Sequence, residues 1–178
     1  MANENNEIKK HILSILVDNL PGVLSRIAGL FSGRGFNIES LCVAETADPL
    51  ISRITLVTMG SDSIVEQVNK QLNKLINVIK ISELDPRDST ERELMLLTVK
   101  APSGSRSEIL ELVALFEGSV VDVGATELTI SLDDAPERLD DLEALLRPYG
   151  IADLQRTGRV ALPRLERNGA KPRLRSAG

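Results

Sequence analysis

Few residues in this sequence can perform acid–base, nucleophilic or metal chemistry. The chain contains one histidine, His11, and one cysteine, Cys42, so a nucleophile activated by histidine would depend on His11 alone. A structural zinc site of the usual Cys/His type is excluded because it needs several of these ligands together. Glu39 and Glu45 fall on one face of a predicted strand, where carboxylate pairs are usually solvated. We therefore predict no catalytic residue and no metal site in this chain.

The turn before the first predicted helix has the composition of an anion-binding site. This helix has Gly22 three residues after Asn19, so Asn19 can cap one backbone N–H while others stay free at the positive helix end. Such a helix end binds a carboxylate or a phosphate. The alternative is a solvated turn with an ordinary asparagine cap.

The other three predicted helices each begin with a serine or aspartate that is followed three residues later by glutamate. These pairs are Ser63 with Glu66, Ser105 with Glu108, and Asp134 with Glu137. The spacing is that of a capping box, in which both side chains satisfy backbone N–H groups at the helix start. We therefore expect these three helix ends to be closed to an anion.

Hydrophobic periodicity predicts the same order of strands and helices in each half of the chain. In the first half the strands are His11–Val17, Asn37–Glu45, Ile51–Met59 and Val78–Leu84, and the helices are Pro21–Arg34 and Ser63–Leu75. In the second half the strands are Leu94–Val99, Ser119–Val123, Glu127–Leu132 and Ile151–Arg156, and the helices are Ser107–Glu117 and Pro136–Leu146. Each half is therefore βαββαβ, the ferredoxin-like pattern of an antiparallel sheet with helices on one face.

The two halves are predicted to be separate domains of an α+β protein. Residues 8–84 and 93–162 carry the two repeats, and the polar segment 85–92, DPRDSTER, is typical of a linker. Domains of this size bury a modest core and leave sheet edges open, so we expect a homodimer that forms through the sheets. The basic segment 163–178 has five basic residues, one acidic residue and no periodicity, which predicts a disordered tail.

Composition and charge exclude several classes of function. The formal net charge is −5 and tryptophan is absent, which argues against duplex DNA binding and against stacking of RNA bases. No apolar run approaches the ~18–20 residues of a membrane span, and the polar segment Met1–Lys10 lacks a signal peptide's apolar region. A single cysteine favours a reducing, cytoplasmic location. We therefore predict no nucleic-acid partner and no membrane partner.

One long segment resembles a known family. The residues from Asn19 to Thr46, NLPGVLSRIAGLFSGRGFNIESLCVAET, and the run ISRITLV from Ile51 resemble the small regulatory subunit of acetolactate synthase (acetohydroxyacid synthase). The similarity covers about residues 8–162 and resumes at ERELML from Glu91 and at RPYGI and RTGRVAL near the end. It is looser in the middle of the second half, where Asp133-Asp134 departs from the small Thr-Gly pair common in the family.

The resemblance implies that the first half is an ACT domain, a ferredoxin-like amino-acid sensor, and that the second half is a related domain. In this family the effector lies between two chains. One chain would supply Asn19, Pro21, Gly22, Val23 and Leu24, and the other would supply Asn37 and Ile38. The expected effector is valine, with leucine and isoleucine binding more weakly.

The resemblance also implies a function without catalysis. The chain would bind and activate the catalytic large subunit of acetolactate synthase and make it sensitive to feedback inhibition in branched-chain amino acid biosynthesis. Thiamine diphosphate, magnesium and FAD are expected on that catalytic partner, and this chain would have no cofactor of its own. The alternatives are a stand-alone ACT-type module that regulates another enzyme or a transcription factor, and a ferredoxin-like RNA binder, which the acidic charge disfavours.

Overall fold

The structure, a computed structural model, describes residues 7–33 and 35–165. The first six elements are β1 (Lys9–Asp18), α1 (Val23–Ser32), β2 (Ile38–Glu45), β3 (Ile51–Gly60), α2 (Asp62–Leu72) and β4 (Val78–Leu84). They are followed by β5 (Ser89–Lys100), α3 (Arg106–Leu115), β6 (Ser119–Val123), β7 (Glu127–Asp134), α4 (Pro136–Leu146), a 3-10 turn (Arg147–Tyr149), β8 (Ile151–Arg156) and β9 (Val160–Pro163). The prediction of two βαββαβ repeats is confirmed.

The first repeat forms a four-stranded antiparallel sheet in the order β2-β3-β1-β4. The register pairs Leu13 with Leu56 and Ile15 with Ile54, so these large side chains share the face that the helices cover. On α1, Val23, Ile27 and Phe31 recur every four residues and are buried against this face. The helix ends at Ser32, two residues before the predicted end, and its C-cap Gly33 has a right-handed backbone with φ of −64°, whereas Gly35 has the left-handed backbone typical of a helix stop, with φ of +72°.

The second repeat forms a sheet in the order β6-β7-β5-β8. Strand β5 alternates between buried and exposed residues from Glu93 to Lys100, the pattern of a strand with one covered face. Its buried side chains Met95, Leu97 and Val99 pack with Ile109 of α3 and Leu139 of α4. Each repeat therefore has its own hydrophobic core.

The predicted domain boundaries differ from the structure at two places. Residues 89–92 belong to β5 rather than to the linker. In addition, the described residues from Arg159 onward form a compact unit with the residues up to Thr90, whereas Glu91–Gly158 form the other unit. The predicted domain 93–162 therefore loses its last residues to the first unit.

Side-chain and backbone contacts explain why the end of the described chain joins the first unit. Ala161 is buried in a small apolar cluster with Ile12, Val57 and Leu84. The Arg159 N–H donates to Ser40 Oγ at 2.9 Å, and the Arg164 N–H donates to the Asp88 carbonyl at 2.8 Å. Residues 166–178 of the predicted disordered tail lie outside the described residues.

Among the described residues, none of the helices is long and apolar enough to cross a membrane.

Candidate functional site

The start of α1 is open to an anion. Gly22 is the N-cap residue and has a left-handed backbone with φ of +84°, and a Cβ placed there would have no neighbour within 4 Å. This conformation favours glycine, because a side chain would strain it. Among the described residues, the N–H groups of Gly22, Leu24 and Ser25 have no hydrogen-bond acceptor. In the described part of the chain, the helix end thus presents free donors beside a glycine that has open space where a side chain would be.

The Val23 N–H, by contrast, donates to the Leu20 carbonyl at 3.4 Å, and the Arg26 N–H donates to the Gly22 carbonyl at 3.1 Å. The family resemblance implies that Gly22, Val23 and Leu24 contribute to the site. Because Val23 is already engaged, Ser25 takes its place in the set of free donors.

The predicted contrast in capping is wrong, because none of the four α-helices has a side-chain cap hydrogen bond among the described residues. The N-cap residue of α2 is Ser61, so Ser63 lies inside the first turn. Helix α4 starts at Ala135, and the Asp134 carboxylate accepts the Ala135 N–H at 2.7 Å and pairs with Arg138 instead. Ser105 is the N-cap of α3 as predicted, although its side chain makes no cap bond.

What distinguishes α1 from the other helices is the charge of its first turn. Asp62, Glu108 and Glu137 place a carboxylate in the first turn of α2, α3 and α4, whereas α1 has no acidic residue there. A carboxylate in the first turn offsets the positive end of the helix dipole. No carboxylate in its own first turn offsets the dipole of α1, so an anionic ligand can do so.

Asn19 has a different role from the predicted helix cap. Its amide Nδ2 donates to Glu45 Oε1 at 3.0 Å and to the Pro49 carbonyl at 2.9 Å, and its N–H donates to the Leu50 carbonyl at 2.8 Å. Both amide hydrogens are therefore used to hold the β1–α1 loop against the β2–β3 turn. The Oδ1 atom is left as an acceptor.

A second set of contacts fixes the other side of the loop. Asn77, just before β4, donates from Nδ2 to Asp18 Oδ2 at 3.0 Å and accepts from Arg26 Nη1 at 3.2 Å. The Asp18 N–H donates to the Asn77 carbonyl at 2.9 Å. Sequence reasoning interpreted Glu45 as solvated and missed Asn77, because both partners are distant in the chain from the loop that they hold. It also missed Arg26, whose partner Asn77 is 51 positions away.

The predicted apolar residues divide by exposure. Val23 is 5% exposed and belongs to the core, so only its backbone faces the helix end. Leu24 is 40% exposed, and Pro21 is also exposed, so their side chains are accessible. The loop therefore offers a small apolar surface beside the free N–H groups.

Asn37 and Ile38 are not brought to the same place within one chain. Ile38 pairs with Thr58 at one end of β3, whereas Asp18, next to Asn19, pairs with Ile51 at the other end. At about 3.3 Å per residue, the two groups are roughly 20 Å apart along the strand. A pocket that uses both groups needs two chains.

The buried histidine lies elsewhere, near the start of β1. His11 is 2% exposed, with Nδ1 at 2.7 Å from Glu83 Oε1 and Nε2 at 3.1 Å from the Gly60 carbonyl. Asp62 is the third possible metal ligand in this group, but Lys9 Nζ pairs with it at 2.7 Å. The two carboxylates face different ring nitrogens, which is the arrangement of a hydrogen-bonded cluster rather than of ligands around one ion.

Known proteins of one family are similar to this chain over both repeats. Residues 13–80 match the family described as "AHAS small subunit-like ACT domain", and residues 92–165 match "Small subunit of acetolactate synthase". The chain is similar to the probable acetolactate synthase small subunit of Methanothermobacter thermautotrophicus, with 48% identity over 86% of this chain and 92% of the relative. It is also 48% identical to the acetolactate synthase small subunit of Mycolicibacterium smegmatis, over 90% and 94% of the two chains.

A solved structure is similar over the same range. The crystal structure of the acetolactate synthase small subunit from Thermotoga maritima has a TM-score of 0.82 and 36% identity, and the match covers 89% of this chain and 99% of that one.

Proposed function

The chain belongs to the family of acetolactate synthase small subunits, with an ACT domain as its first repeat, and we propose that it binds valine at a pocket shared by two copies. The observation that carries this proposal is the open start of α1, with its left-handed Gly22 and free N–H groups. Through this pocket the subunit confers feedback inhibition on the catalytic large subunit, which it also activates. Both effects serve branched-chain amino acid biosynthesis in the cytoplasm.

The valine carboxylate binds at the α1 end. The N–H groups of Gly22, Leu24 and Ser25 are the available donors, and charge-assisted hydrogen bonds from backbone N–H groups to a carboxylate are short and strong. The first turn of α1 has no acidic residue that would repel the carboxylate. The exposed Leu24 offers apolar contact to the isopropyl group.

The second part of the pocket comes from a second copy. Strand β2 is an edge of the first sheet, and antiparallel pairing of two such edges brings the start of one β2 beside the end of the other. Asn37 and Ile38 of the partner subunit then approach Glu45, which accepts a hydrogen bond from Asn19. The valine ammonium donates hydrogen bonds to the free Oδ1 of Asn19 and to the Oδ1 of Asn37 of the partner subunit.

The size of the ligand sets the expected affinity and selectivity. At ~0.7–0.9 kcal/mol per heavy atom, a ligand of valine's size binds with a Kd on the order of tens of micromolar. One methylene group changes binding by only about 1–3 kcal/mol. Leucine and isoleucine therefore bind more weakly than valine.

The subunit itself has no catalytic role in this proposal. The catalytic large subunit holds thiamine diphosphate, magnesium and FAD and carries out the carboligation of pyruvate. The small subunit changes the activity of that partner through the populations of its valine-bound and valine-free states.

Calorimetry tests the proposed function. The purified chain is titrated with valine, leucine, isoleucine and threonine, and the titrations are repeated with the catalytic subunit present. We expect one valine per shared pocket, weaker binding of leucine and isoleucine, and loss of enzyme activity over the same valine range. Normal activation of the enzyme without any binding of a branched-chain amino acid would contradict the proposal.

A further inference from the structure

A cavity of about 360 Å³ lies in the second unit, well away in sequence from the β1–α1 loop. This volume is at the small end of the ~300–1,000 Å³ range of ligand pockets. The loops around it are the β5–α3 turn, the β6–β7 turn and the 3-10 turn after α4. The residues that line it are Lys100, Pro102, Ser105, Thr126, Glu127 and Tyr149.

The walls of this cavity are held in place by one arginine. Arg106 Nε donates to the Ala101 carbonyl at 3.1 Å, and Nη2 donates to the Gly124 and Ala125 carbonyls at 2.9 Å each. A single guanidinium thus joins the β5–α3 turn to the β6–β7 turn through three hydrogen bonds. A cavity with fixed walls binds a ligand with less loss of conformational entropy.

Tyr149 fixes the third wall. Its hydroxyl donates to Glu108 Oε2 at 3.1 Å, and this hydrogen bond raises the pKa of the Tyr149 hydroxyl. Gly150, the next residue, accepts the Lys100 N–H through its carbonyl at 2.9 Å. A Cβ on Gly150 would lie 3.3 Å from Lys100 Cδ, so the aliphatic part of Lys100 extends over this glycine.

Two opposite charges at the cavity are not paired with each other. Lys100 and Glu127 are directly opposite on β5 and β7, where Cβ atoms are ~4.5–5.5 Å apart. Within residues 7–33 and 35–165, neither side chain forms a hydrogen bond or an ion pair within 4.0 Å. A cation and an anion therefore flank one small cavity, and both are available to a ligand.

We propose that this cavity is a second ligand site, which binds a free α-amino acid with an apolar side chain. The ligand carboxylate pairs with Lys100, its ammonium pairs with Glu127, and its side chain lies against Tyr149 and Pro102. The nearby start of α3 does not take the carboxylate, because Glu108 already places a negative charge in that first turn. This proposal goes beyond the valine pocket and does not depend on it.

The chain offers a natural probe for this site. Tyr149 is the sole tyrosine and the sequence contains no tryptophan, so tyrosine fluorescence of the full-length protein reports on this cavity alone. L-Leucine is the probe ligand. The matched compounds are 4-methylpentanoate, which lacks the ammonium group, and 3-methylbutylamine, which lacks the carboxylate.

We expect L-leucine to change the Tyr149 emission in a saturable way and each matched compound to bind about tenfold more weakly, because it loses one charge-assisted contact. Lys100→Met and Glu127→Gln should each weaken the response to a similar extent. Both side chains are exposed, so the variants are expected to fold, and circular dichroism verifies this.

The variant Gly22→Asp separates this site from the pocket of the first unit. If the leucine response is retained in Gly22→Asp and weakened in Lys100→Met, the cavity is the site, even if valine regulation proves absent. A response that Gly22→Asp abolishes and Lys100→Met preserves would assign the signal to the first unit and overturn the proposal. So would the absence of leucine binding to Gly22→Asp by both fluorescence and calorimetry.

Discussion

At the scale of single residues, Gly22 determines what the start of α1 can bind. Its left-handed backbone turns the chain into the helix, and the missing side chain leaves the free N–H groups accessible. Asparagine and aspartate tolerate this backbone better than other residues that have a side chain. Gly22→Asn and Gly22→Asp introduce side chains of nearly the same shape that differ in charge. Comparing the two variants therefore separates electrostatic from steric effects.

We expect Gly22→Asp to abolish valine inhibition while activation persists. Two like charges ~4 Å apart at an effective dielectric constant of ~20 repel by about 4 kcal/mol, which corresponds to nearly a thousandfold in affinity. Gly22→Asn is the matched control and should retain much more of the valine affinity. The measurement is valine inhibition of the reconstituted enzyme, and equal inhibition in both variants and the wild type would remove the proposed site.

The sequence predicts that Asp134 caps α4, whereas in the structure its carboxylate pairs with Arg138. Burial alone raises the pKa of Asp134, but the Ala135 N–H and the guanidinium groups of Arg138 and Arg92 together hold that pKa below its ordinary value. The charged form is therefore more favourable in the folded protein than in the unfolded chain.

We expect Asp134→Asn to destabilise the second unit near neutral pH. For a lowered pKa, this stabilising contribution is complete above the unfolded value of 3.8 and is lost as the pH falls through the lower folded value. The difference in unfolding free energy between wild type and variant should therefore shrink in acid. Denaturant titrations at neutral and acidic pH measure it, with the exposed Asp133→Asn as control. A difference that is independent of pH would show that the charge of Asp134 is not the cause.

At the scale of elements, most strands and helices could be predicted from periodicity, because their apolar faces are regular. The start of β5 and the whole of β9 were not predicted, and each has a physical reason. Polar residues interrupt the hydrophobic pattern at the start of β5, where the buried position 93 is occupied by a glutamate that lies 3.7 Å from Arg156. Strand β9 has only four residues, too few to show a period. The open start of α1 was predictable because it depends on local sequence, as at Gly22. The loop geometry was not predictable where it depends on register, as in the contact between Asn19 and Glu45.

The edge strand β2 leads to a test of the two-chain pocket. Homodimers of Asn19→Ala or of Asn37→Ala should each bind valine poorly, because every pocket then lacks one amide. In a mixed dimer both changes can fall in one pocket and leave the other intact. We expect calorimetry of a doubly tagged, purified heterodimer to recover about half of the valine sites. If a verified heterodimer recovers none, each pocket lies within one chain.

At the scale of the whole molecule, the first unit is discontinuous in sequence. Its small apolar cluster of Ile12, Val57 and Leu84 is completed by Ala161, which follows the whole second unit in the chain. The stability of the first unit should therefore depend on a residue far from its own repeat.

We expect Ala161→Asp to destabilise the first unit by about 3 kcal/mol, because it places an unpaired charge in a buried apolar cluster. Ala161 is 3% exposed, whereas its neighbour Leu162 is 56% exposed, so Leu162→Asp is the matched control with little expected effect. Hydrogen exchange of the β1 amides measures the change. Equal exchange in the two variants would show that Ala161 does not support the first sheet.

The discontinuity also has a consequence for synthesis on the ribosome. At ~5–20 residues per second, the interval between the translation of Leu84 and that of Ala161 is roughly 4–15 seconds. During this time the nascent first unit has all four strands of its sheet but lacks the residue that covers Ile12, Val57 and Leu84. The continuous second unit, Glu91–Gly158, is translated within that interval. Ala161 can therefore complete this apolar cluster only after the whole second unit has been translated.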